Sequence, residues 1–320
     1  MITKFLDPKN DFAFKRIFGT EKNKDILIHF LNDMVTFKEK HPIQDVTFLK
    51  PVQDPDTAVK KTSIVDILCR DEKGNQYIVE MQVAKDKTFE KRAQYYAAKA
   101  YVSQMVKGGK YEDLKEVIFL AITDFIMFPQ TKDYKSEHVI LDIQTHGHHL
   151  RDFSFTFFEL PKFHKTMDEL TMMVDKWLYF FKHGEETAEK DVAKIGGHDE
   201  VIEKAYEELN RFSWNEIEMN TYEQELKHEW DHMSIMRTKF EEGVEAGVKK
   251  GIERGIERGI ERGIERGREE GREEGREEGS REEKIKIAKA FLSQGVNIEA
   301  IAMATGLSKK EILQFFSEAS

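Results

Sequence analysis

Three polar residues in a strand-rich stretch have the types and spacing of a metal site. Asp66 stands between Val65 and Ile67, where a strand usually takes an apolar side chain. Glu80 and Gln82 are two apart in the next predicted strand, so both point to one sheet face. Two carboxylates on adjacent strands can converge on a hard cation, typically Mg²⁺ with its waters retained. Such a cation activates water and stabilises the leaving oxygen of a phosphodiester, with Gln82 orienting the water or donating to the phosphate.

The spacing also fits a simpler interpretation, in which these residues form the polar face of a half-exposed hairpin. An Asp followed later by Glu-x-Gln is a short pattern that is common in strands. An ionised side chain inside an apolar run is nevertheless expensive unless it is paired or bound to a metal. The pattern by itself leaves both interpretations open.

Residues from two predicted helices are candidates to support such a site. Asp11 and Lys15 are one helical turn apart, so they can reach the site or simply pair with each other. Arg92 and Tyr95 lie in the first turns of the later helix. Arg92 can hold a phosphate there, and Tyr95 or its neighbour Tyr96 can stack on a base. An ordinary half-buried helix face explains the residues of this second helix equally well.

Two histidine-containing segments are rival metal sites. His228, Glu229 and His232 match the HExxH pattern of zinc proteases, in which the two histidines lie one helical turn apart. The surrounding segment is strongly acidic, Asp231 adds a charge within the motif, and no third ligand stands out downstream. The sequence HGHH at 146–149 also has metal-binding residue types, but a loop between strands explains it equally well.

The elements that must position these residues alternate between helix and strand. Predicted helices occupy parts of the first 35 residues and 88–106, where apolar residues recur at helical spacing. Predicted strands follow β-branched or apolar runs at 43–52, 61–71, 76–83, 114–123, 137–143 and 151–160. This order predicts an α/β fold over 1–160, with a sheet layered between helices.

Composition and charge place limits on the whole chain. The 320 residues carry a net charge of −10, and 34% are charged, which predicts solvated helix or linker beside a globular domain. Residues 1–110 hold 20 basic and 15 acidic side chains, a local balance of +5 that suits a phosphate backbone. The single cysteine, Cys69, excludes an internal disulfide and fits the reducing cytoplasm. We expect no membrane segment and no secretory signal.

The second half of the chain contains a tetrapeptide repeat. Residues 161–240 are predicted as an acidic helical region, and ten of the 20 glycines then recur every four residues from Gly243 to Gly279. Four residues turn a helix by about 400°, so each side-chain stripe drifts by about 40° and no heptad seam forms. Ten glycines destabilise a helix by roughly 8–10 kcal/mol relative to alanine. Residues 241–280 are therefore predicted as a marginal solvated helix or spacer, with glycine faces packed in a homo-oligomer as the alternative.

Residues 281–320 predict a small module of three short helices. Ser308 with Glu311 forms a capping box for the last helix, and the sequence TGLS provides the turn before it. The outline is similar to a helix-turn-helix. Lys309 and Lys310 are the basic side chains on the helix that would contact DNA, which favours a capping or protein-contacting role over sequence reading.

Four blocks follow one another in the front half: DPKNDFAFKRIFG, VDILCRD, IVEMQ and FEKRAQYY. Together with the glycine repeat and the helical tail, they resemble the recombination-promoting nuclease (Rpn) or putative transposase family of the PD-(D/E)xK nuclease superfamily. The resemblance implies a PD-(D/E)xK-type mixed sheet over 1–160. It implies Asp66 and Glu80 as Mg²⁺ ligands, with Gln82 in place of the lysine of the superfamily motif. The implied activity is metal-dependent DNA endonuclease.

Two alternatives to an active nuclease remain at this point. The first is a non-catalytic DNA-binding or assembly protein on a decayed nuclease fold, against which the intact Asp66, Glu80 and Gln82 argue. The second is a zinc metalloprotease built on His228 and His232. A homo-oligomer formed through the repeat and the C-terminal module is compatible with each of the three functions.

Overall fold

The computed structural model describes residues 3–36, 42–50, 52–53 and 63–317. The helices are α1 (Asp11–Phe18), α2 (Lys24–Met34), α3 (Phe89–Ser103), α4 (Met173–His183), α5 (Val192–Gly196), α6 (Glu200–Glu208), α7 (Glu216–Ser293), α8 (Ile298–Thr305) and α9 (Lys309–Ser317). The strands are β1 (Val46–Phe48), β2 (Val52–Gln53), β3 (Ser63–Ile64), β4 (Ile67–Asp71), β5 (Gln76–Gln82), β6 (Val117–Thr123), β7 (Lys135–Val139) and β8 (Phe153–Glu159).

Six of the strands form one mixed sheet in the order β1-β4-β5-β6-β8-β7. The β5–β6 and β6–β8 pairs are parallel, and the other pairs are antiparallel. All seven residues of β6 are buried, as expected of a strand with both sheet faces covered. The predicted α/β class with a mixed sheet flanked by helices is confirmed. The strands β2 and β3 form a separate antiparallel pair.

Helices cover both faces of the sheet. On one face, α3 presents Phe89 and an alanine stripe (Ala93, Ala97 and Ala100) to the sheet, and these small side chains allow a close approach. On the other face, α1, α2, α4 and α6 share one apolar core with the alternate residues of the strands. The even-numbered residues of β5 therefore face α3, so the polar side chains of β5 on this face lie near α3.

The core on the second face extends well beyond residue 160. Trp177 and Phe180 of α4 are fully buried against phenylalanines of α1 and α2, and Tyr206 of α6 is fully buried against Phe5 and Phe180. The indole Nε1 of Trp177 donates to Asp33 Oδ2 of α2 at 2.8 Å. The first compact unit of the chain runs from Met1 to His232. The predicted boundary at 160 falls inside this unit, because α4 and α6 are amphipathic and bury their apolar faces.

The second compact unit, Met233–Ser320, consists of the rest of α7 followed by α8 and α9. The tetrapeptide repeat is helical throughout, and its side chains are exposed. A Cβ added at any of its ten glycines would meet nothing within 4 Å. Ala288 of α7 packs with Ile301, Leu307 and Ile312 in a small core, and the capping box between Ser308 and Glu311 is formed.

Three strand predictions differ from the structure. Asp66 was expected inside a strand but lies at a bend between β3 and β4. The segment 43–52 contains β1 and the start of β2 instead of one strand, and the strand predicted over 137–143 ends at Val139. Within the described ranges, no helix is long and apolar enough to span a bilayer.

Candidate metal centre

The candidate centre lies where β4 and β5 meet the ends of α1 and α3. Glu80 and Gln82 lie on β5 and, as predicted, share the sheet face that α3 covers. Asp66 immediately precedes β4, the antiparallel neighbour of β5. The bend removes Asp66 from the hydrogen-bond ladder between β4 and β5. Hydrogen bonds with the Glu80 side chain and the Met81 backbone replace the ladder bonds there.

Two hydrogen bonds connect Asp66 with β5, one to Glu80 and one from Met81. The Asp66 N–H donates to Glu80 Oε1 at 3.2 Å, and the Met81 N–H donates to Asp66 Oδ2 at 2.9 Å. The second Glu80 oxygen, Oε2, accepts from Gln82 Nε2 at 2.8 Å. Glu80 is 2% exposed, and the Asp66 side chain is 14% exposed. The three predicted catalytic residues therefore form one connected and largely buried cluster.

Helix α1 contributes a lysine and a further carboxylate to this cluster. Lys15 Nζ lies 2.6 Å from Asp11 Oδ1 and 3.4 Å from Asp66 Oδ1. Asp11 and Lys15 thus pair with each other and also reach the site, so both expectations hold at once. Burial alone lowers the pKa of Lys15, but its hydrogen bond with Asp11 and the charge of Asp66 outweigh burial and raise that pKa. Lys15 is therefore held in its charged form.

Helix α3 contributes Arg92 from the opposite side. One terminal nitrogen of Arg92 donates to Gln82 Oε1, and the other lies 3.0 Å from Asp86 Oδ2. Tyr95 is 45% exposed, and Tyr96 beside it is half-buried. Burial raises the pKa of Tyr96; Arg92 opposes the rise, and the Glu80 and Asp66 carboxylates add to it. The electrostatic influence of the site therefore reaches Tyr96, the neighbour of the predicted Tyr95.

The two buried carboxylates are electrostatically strained. Burial raises the pKa of Asp66 above its ordinary value; the Met81 N–H and Lys15 oppose the rise, and Asp11 adds to it. Burial and then the negative charge of Asp66 raise the pKa of Glu80 as well. Two carboxylates that share a site cannot both ionise cheaply without a compensating cation. Lys15 supplies only part of this compensation, because it is shared with Asp11.

A divalent cation suits this donor set. Carboxylate oxygens are the ligands that Mg²⁺ prefers, and Mg²⁺ commonly binds through one or two carboxylates while keeping several waters. Within the described residues no group of three or more His, Cys, Asp or Glu side chains could hold a metal. Asp66 and Glu80 are thus two candidate ligands, and water or substrate would complete the coordination.

The rival motifs lie elsewhere. His228 and His232 are exposed on α7, and the side chain of Glu229 lies outside the described residues. The HGHH segment belongs to the loop between β7 and β8. Cys69 is buried in β4, and burial raises its thiol pKa to about 12, as expected of a core cysteine. These segments make no hydrogen bond or ion pair with the Asp66–Glu80 cluster in the described part of the chain.

The sequence interpretation missed Asp86, which anchors Arg92. Its Oδ1 accepts from both the N–H and the hydroxyl of Thr88 at 2.8 Å, so Asp86 also shapes the turn before α3. An Asp two residues before a Thr at a helix start is a recognisable local signal. That signal identifies the turn but gives no indication of a contact with Arg92.

Comparison with known protein families agrees with the geometry. Residues 8–239 match the family described as "PD-(D/E)XK nuclease family transposase". Residues 281–316 match the one described as "Rpn/YhgA-like nuclease family, C-terminal HTH domain". No match to the chain was found among curated proteins or among solved structures. The first match covers well over half of the chain and includes every residue of the Asp66–Glu80 cluster, so the chain belongs to the PD-(D/E)XK nuclease transposase family.

Proposed function

We propose that this chain is a Mg²⁺-dependent DNA endonuclease that hydrolyses phosphodiester bonds at the Asp66–Glu80 cluster. The observation that carries the proposal is the buried carboxylate pair, in which the Asp66 N–H contacts Glu80 Oε1 at 3.2 Å. Burying two carboxylates side by side is costly for a fold, and a bound divalent cation offsets that cost. The family membership supports the same reaction class.

Each residue of the cluster has a proposed role. Asp66 and Glu80 hold the metal, and the two backbone N–H groups of residues 66 and 81 fix their orientation. When bound, the metal supplies Lewis-acid stabilisation of the phosphodiester oxygens and a more acidic water. Gln82 is the third catalytic residue, and its amide N–H groups can orient the attacking water or contact the phosphate.

The accessory residues surround this centre. Lys15 stays charged, so it can balance the carboxylates or the incoming phosphate, and Asp11 holds Lys15 in place. Arg92 and Tyr95 are proposed DNA-side residues on α3, and the exposed ring of Tyr95 is accessible to stack on a base. The contacts of Arg92 with Gln82 and Asp86 give it a more specific role.

DNA is the proposed partner of both compact units. The helix-turn-helix description of residues 281–316 favours DNA contact by the tail, where the sequence alone favoured capping or protein contact. Lys309 is already paired with Glu299 at 2.6 Å, so Lys310 is the less constrained basic residue there. We also propose that the chain forms a homo-oligomer through the repeat and this module, and that it is located in the cytoplasm.

The direct test is incubation of supercoiled plasmid with the purified protein, with Mg²⁺ or with a chelator. We expect the unaltered protein to give nicked or linear products with Mg²⁺ and none with the chelator. Asp66→Ala and Glu80→Ala should give no products even with Mg²⁺, because each removes a charged ligand. Circular dichroism of the variants verifies that they fold. Full cleavage by both variants would refute the proposed mechanism.

The same samples separate the two alternatives. Plasmid binding without cleavage by the unaltered protein, in Mg²⁺ and in Mn²⁺, would support a non-catalytic DNA-binding protein. For the zinc protease, we expect the His228→Ala, His232→Ala double variant to cleave DNA normally. One zinc per chain in the purified protein, lost in that variant, would instead support the protease.

A further inference from the structure

Arg92 is held by three different contacts. Its two terminal nitrogens contact Gln82 Oε1 and Asp86 Oδ2, and its guanidinium lies over the ring of Phe89, 5.0 Å from the centroid. The Nε atom is buried. A phosphate that approached this guanidinium would have to compete with Asp86 and Gln82 for its terminal nitrogens.

The contact with Gln82 fixes the direction of the Gln82 amide. A glutamine amide has one acceptor end and one donor end, whereas a guanidinium has donors only. Arg92 can therefore contact only the carbonyl oxygen, which leaves the NH₂ group directed at Glu80 Oε2, 2.8 Å away. The hydrogen bonds run in one direction, from Arg92 to Gln82 to Glu80.

The same arrangement supplies a positive charge. The superfamily motif has a lysine where this chain has the neutral Gln82, so the position itself carries no cation. Lys15 lies beside the other carboxylate of the cluster, with its Nζ 3.4 Å from Asp66 Oδ1. Arg92 supplies a positive charge on the Glu80 side of the cluster. It acts on Glu80 through the Gln82 amide, which lies between the two and transmits polarisation.

We propose that Arg92 is a positioning residue that orients Gln82 and, through it, provides the positive charge that a lysine supplies elsewhere in the superfamily. This inference rests on the proposed nuclease function of the same site. Because Arg92 occupies the Gln82 carbonyl, Gln82 acts as a donor in the site and not as a metal ligand. Arg92 therefore affects turnover through Gln82 more than it affects DNA affinity.

The test compares Arg92→Met in two backgrounds. With Gln82 present, we expect Arg92→Met to lower the cleavage rate by at least about tenfold, which is typical of a lost catalytic hydrogen-bond chain. In a Gln82→Lys background, which carries its own cation, the same change should leave the rate unchanged or raise it, since it removes a like charge. Lys91→Met is the matched control, because Lys91 is exposed on the same turn of α3.

Duplex binding in Ca²⁺ separates this role from phosphate contact. We expect Arg92→Met to change duplex affinity by less than about twofold, because its terminal nitrogens serve Gln82 and Asp86. A loss of affinity equal to the loss of rate would overturn the inference in favour of direct phosphate binding. An equal loss of rate in the Gln82 and Gln82→Lys backgrounds would overturn it too.

A stability measurement tests the inference independently of catalysis. Chemical denaturation of Arg92→Met, Gln82→Ala and the double variant forms a cycle in which coupled contacts are non-additive. We expect Arg92→Met to destabilise the protein less when Gln82 is already absent, and additive effects would refute the contact. If the unaltered protein cleaves no DNA, the proposed function fails, and this cycle still decides whether Arg92 holds Gln82.

Discussion

At the residue scale, burial of the Asp66 and Glu80 carboxylates lowers the stability of the metal-free fold at neutral pH. Asp66 and Glu80 bind protons more tightly in the folded chain than in the unfolded chain, chiefly because burial disfavours their charged forms. By linkage, the metal-free protein loses stability as pH rises from the unfolded pKa of about 4 through the raised folded values. We expect a bound divalent cation to offset this loss.

Asp66→Asn should therefore stabilise the metal-free protein at pH 8. The asparagine retains an acceptor for the Met81 N–H and resembles the protonated carboxyl. We expect a rise in Tm of about 2–4 °C at pH 8 in a chelator, shrinking toward zero at pH 4.5. Saturating Mg²⁺ should raise the Tm of the unaltered protein and leave that of the variant unchanged. A lower Tm for the variant in the chelator at pH 8 would contradict this account.

His29 has the opposite pH dependence. Its Nδ1 lies 2.8 Å from Asp33 Oδ2, and its Nε2 lies 3.1 Å from Asp199 Oδ2 at the start of α6. The close contact with the Asp33 carboxylate raises the pKa of His29, burial opposes the rise, and the charge of Asp199 adds to it. A folded pKa above the unfolded value of about 6.5 means that this stabilisation is complete below that pH and lost above the folded pKa.

His29→Gln should consequently destabilise the protein more at pH 5.5 than at pH 9. Glutamine keeps hydrogen-bonding capacity but carries no charge at either pH. The measurement is the difference in Tm between the unaltered protein and the variant at the two pH values. An equal difference at both would show that the charge of His29 contributes nothing.

Several of these residues were predictable from the sequence, and the reason is local geometry. The two-residue period of a strand places Glu80 and Gln82 on one face wherever the strand runs. The helical period likewise pairs Asp11 with Lys15. The contact between Arg92 and Gln82 has no such local origin, since it depends on how α3 crosses the sheet. The bend at Asp66 depends on a carboxylate fourteen residues further along the chain.

At the element scale, the sheet and its covering helices were predictable because periodicity reports burial. The β6 run is apolar at every position except its end, and the structure buries all of it. Charge was a weaker guide. The acidic composition of 161–240 suggested a separate region, but hydrophobic burial by one face of a helix is compatible with acidic residues on the other.

Deletion of two IERG tetrapeptides should be tolerated. No glycine in the repeat has a neighbour that an added Cβ would touch, and the side chains of the IERG tetrapeptides are exposed, so these tetrapeptides are not packed against other described residues. We expect an unchanged melting temperature for the first compact unit and unchanged cleavage of naked plasmid, although the helix shortens by about 12 Å. Light scattering tests the alternative. A smaller oligomer for the deletion variant than for the unaltered protein would support packing of the glycine faces in a homo-oligomer.

At the scale of the whole molecule, the first compact unit needs α4 and α6, which follow residue 160. Trp177, Phe180 and Tyr206 complete the core around α1 and α2, and removing them would expose that core. A chain ending at residue 160 should therefore fail to fold, whereas one ending at 232 should fold. Near-ultraviolet circular dichroism and a cooperative melt distinguish the two chains. A cooperatively folded 1–160 fragment would restore the boundary expected from the sequence.

The open glycine faces of the repeat have a consequence for amide hydrogen exchange. Tertiary contacts slow exchange by making local opening costly, and the exposed repeat has helical hydrogen bonds without such contacts to protect them. Alanine at each glycine would add roughly 0.8–1 kcal/mol of helix stability without any steric conflict. Deuterium should therefore enter residues 243–279 within seconds while β6 stays protonated for hours, because the repeat opens and recloses without disturbing the sheet of the first compact unit.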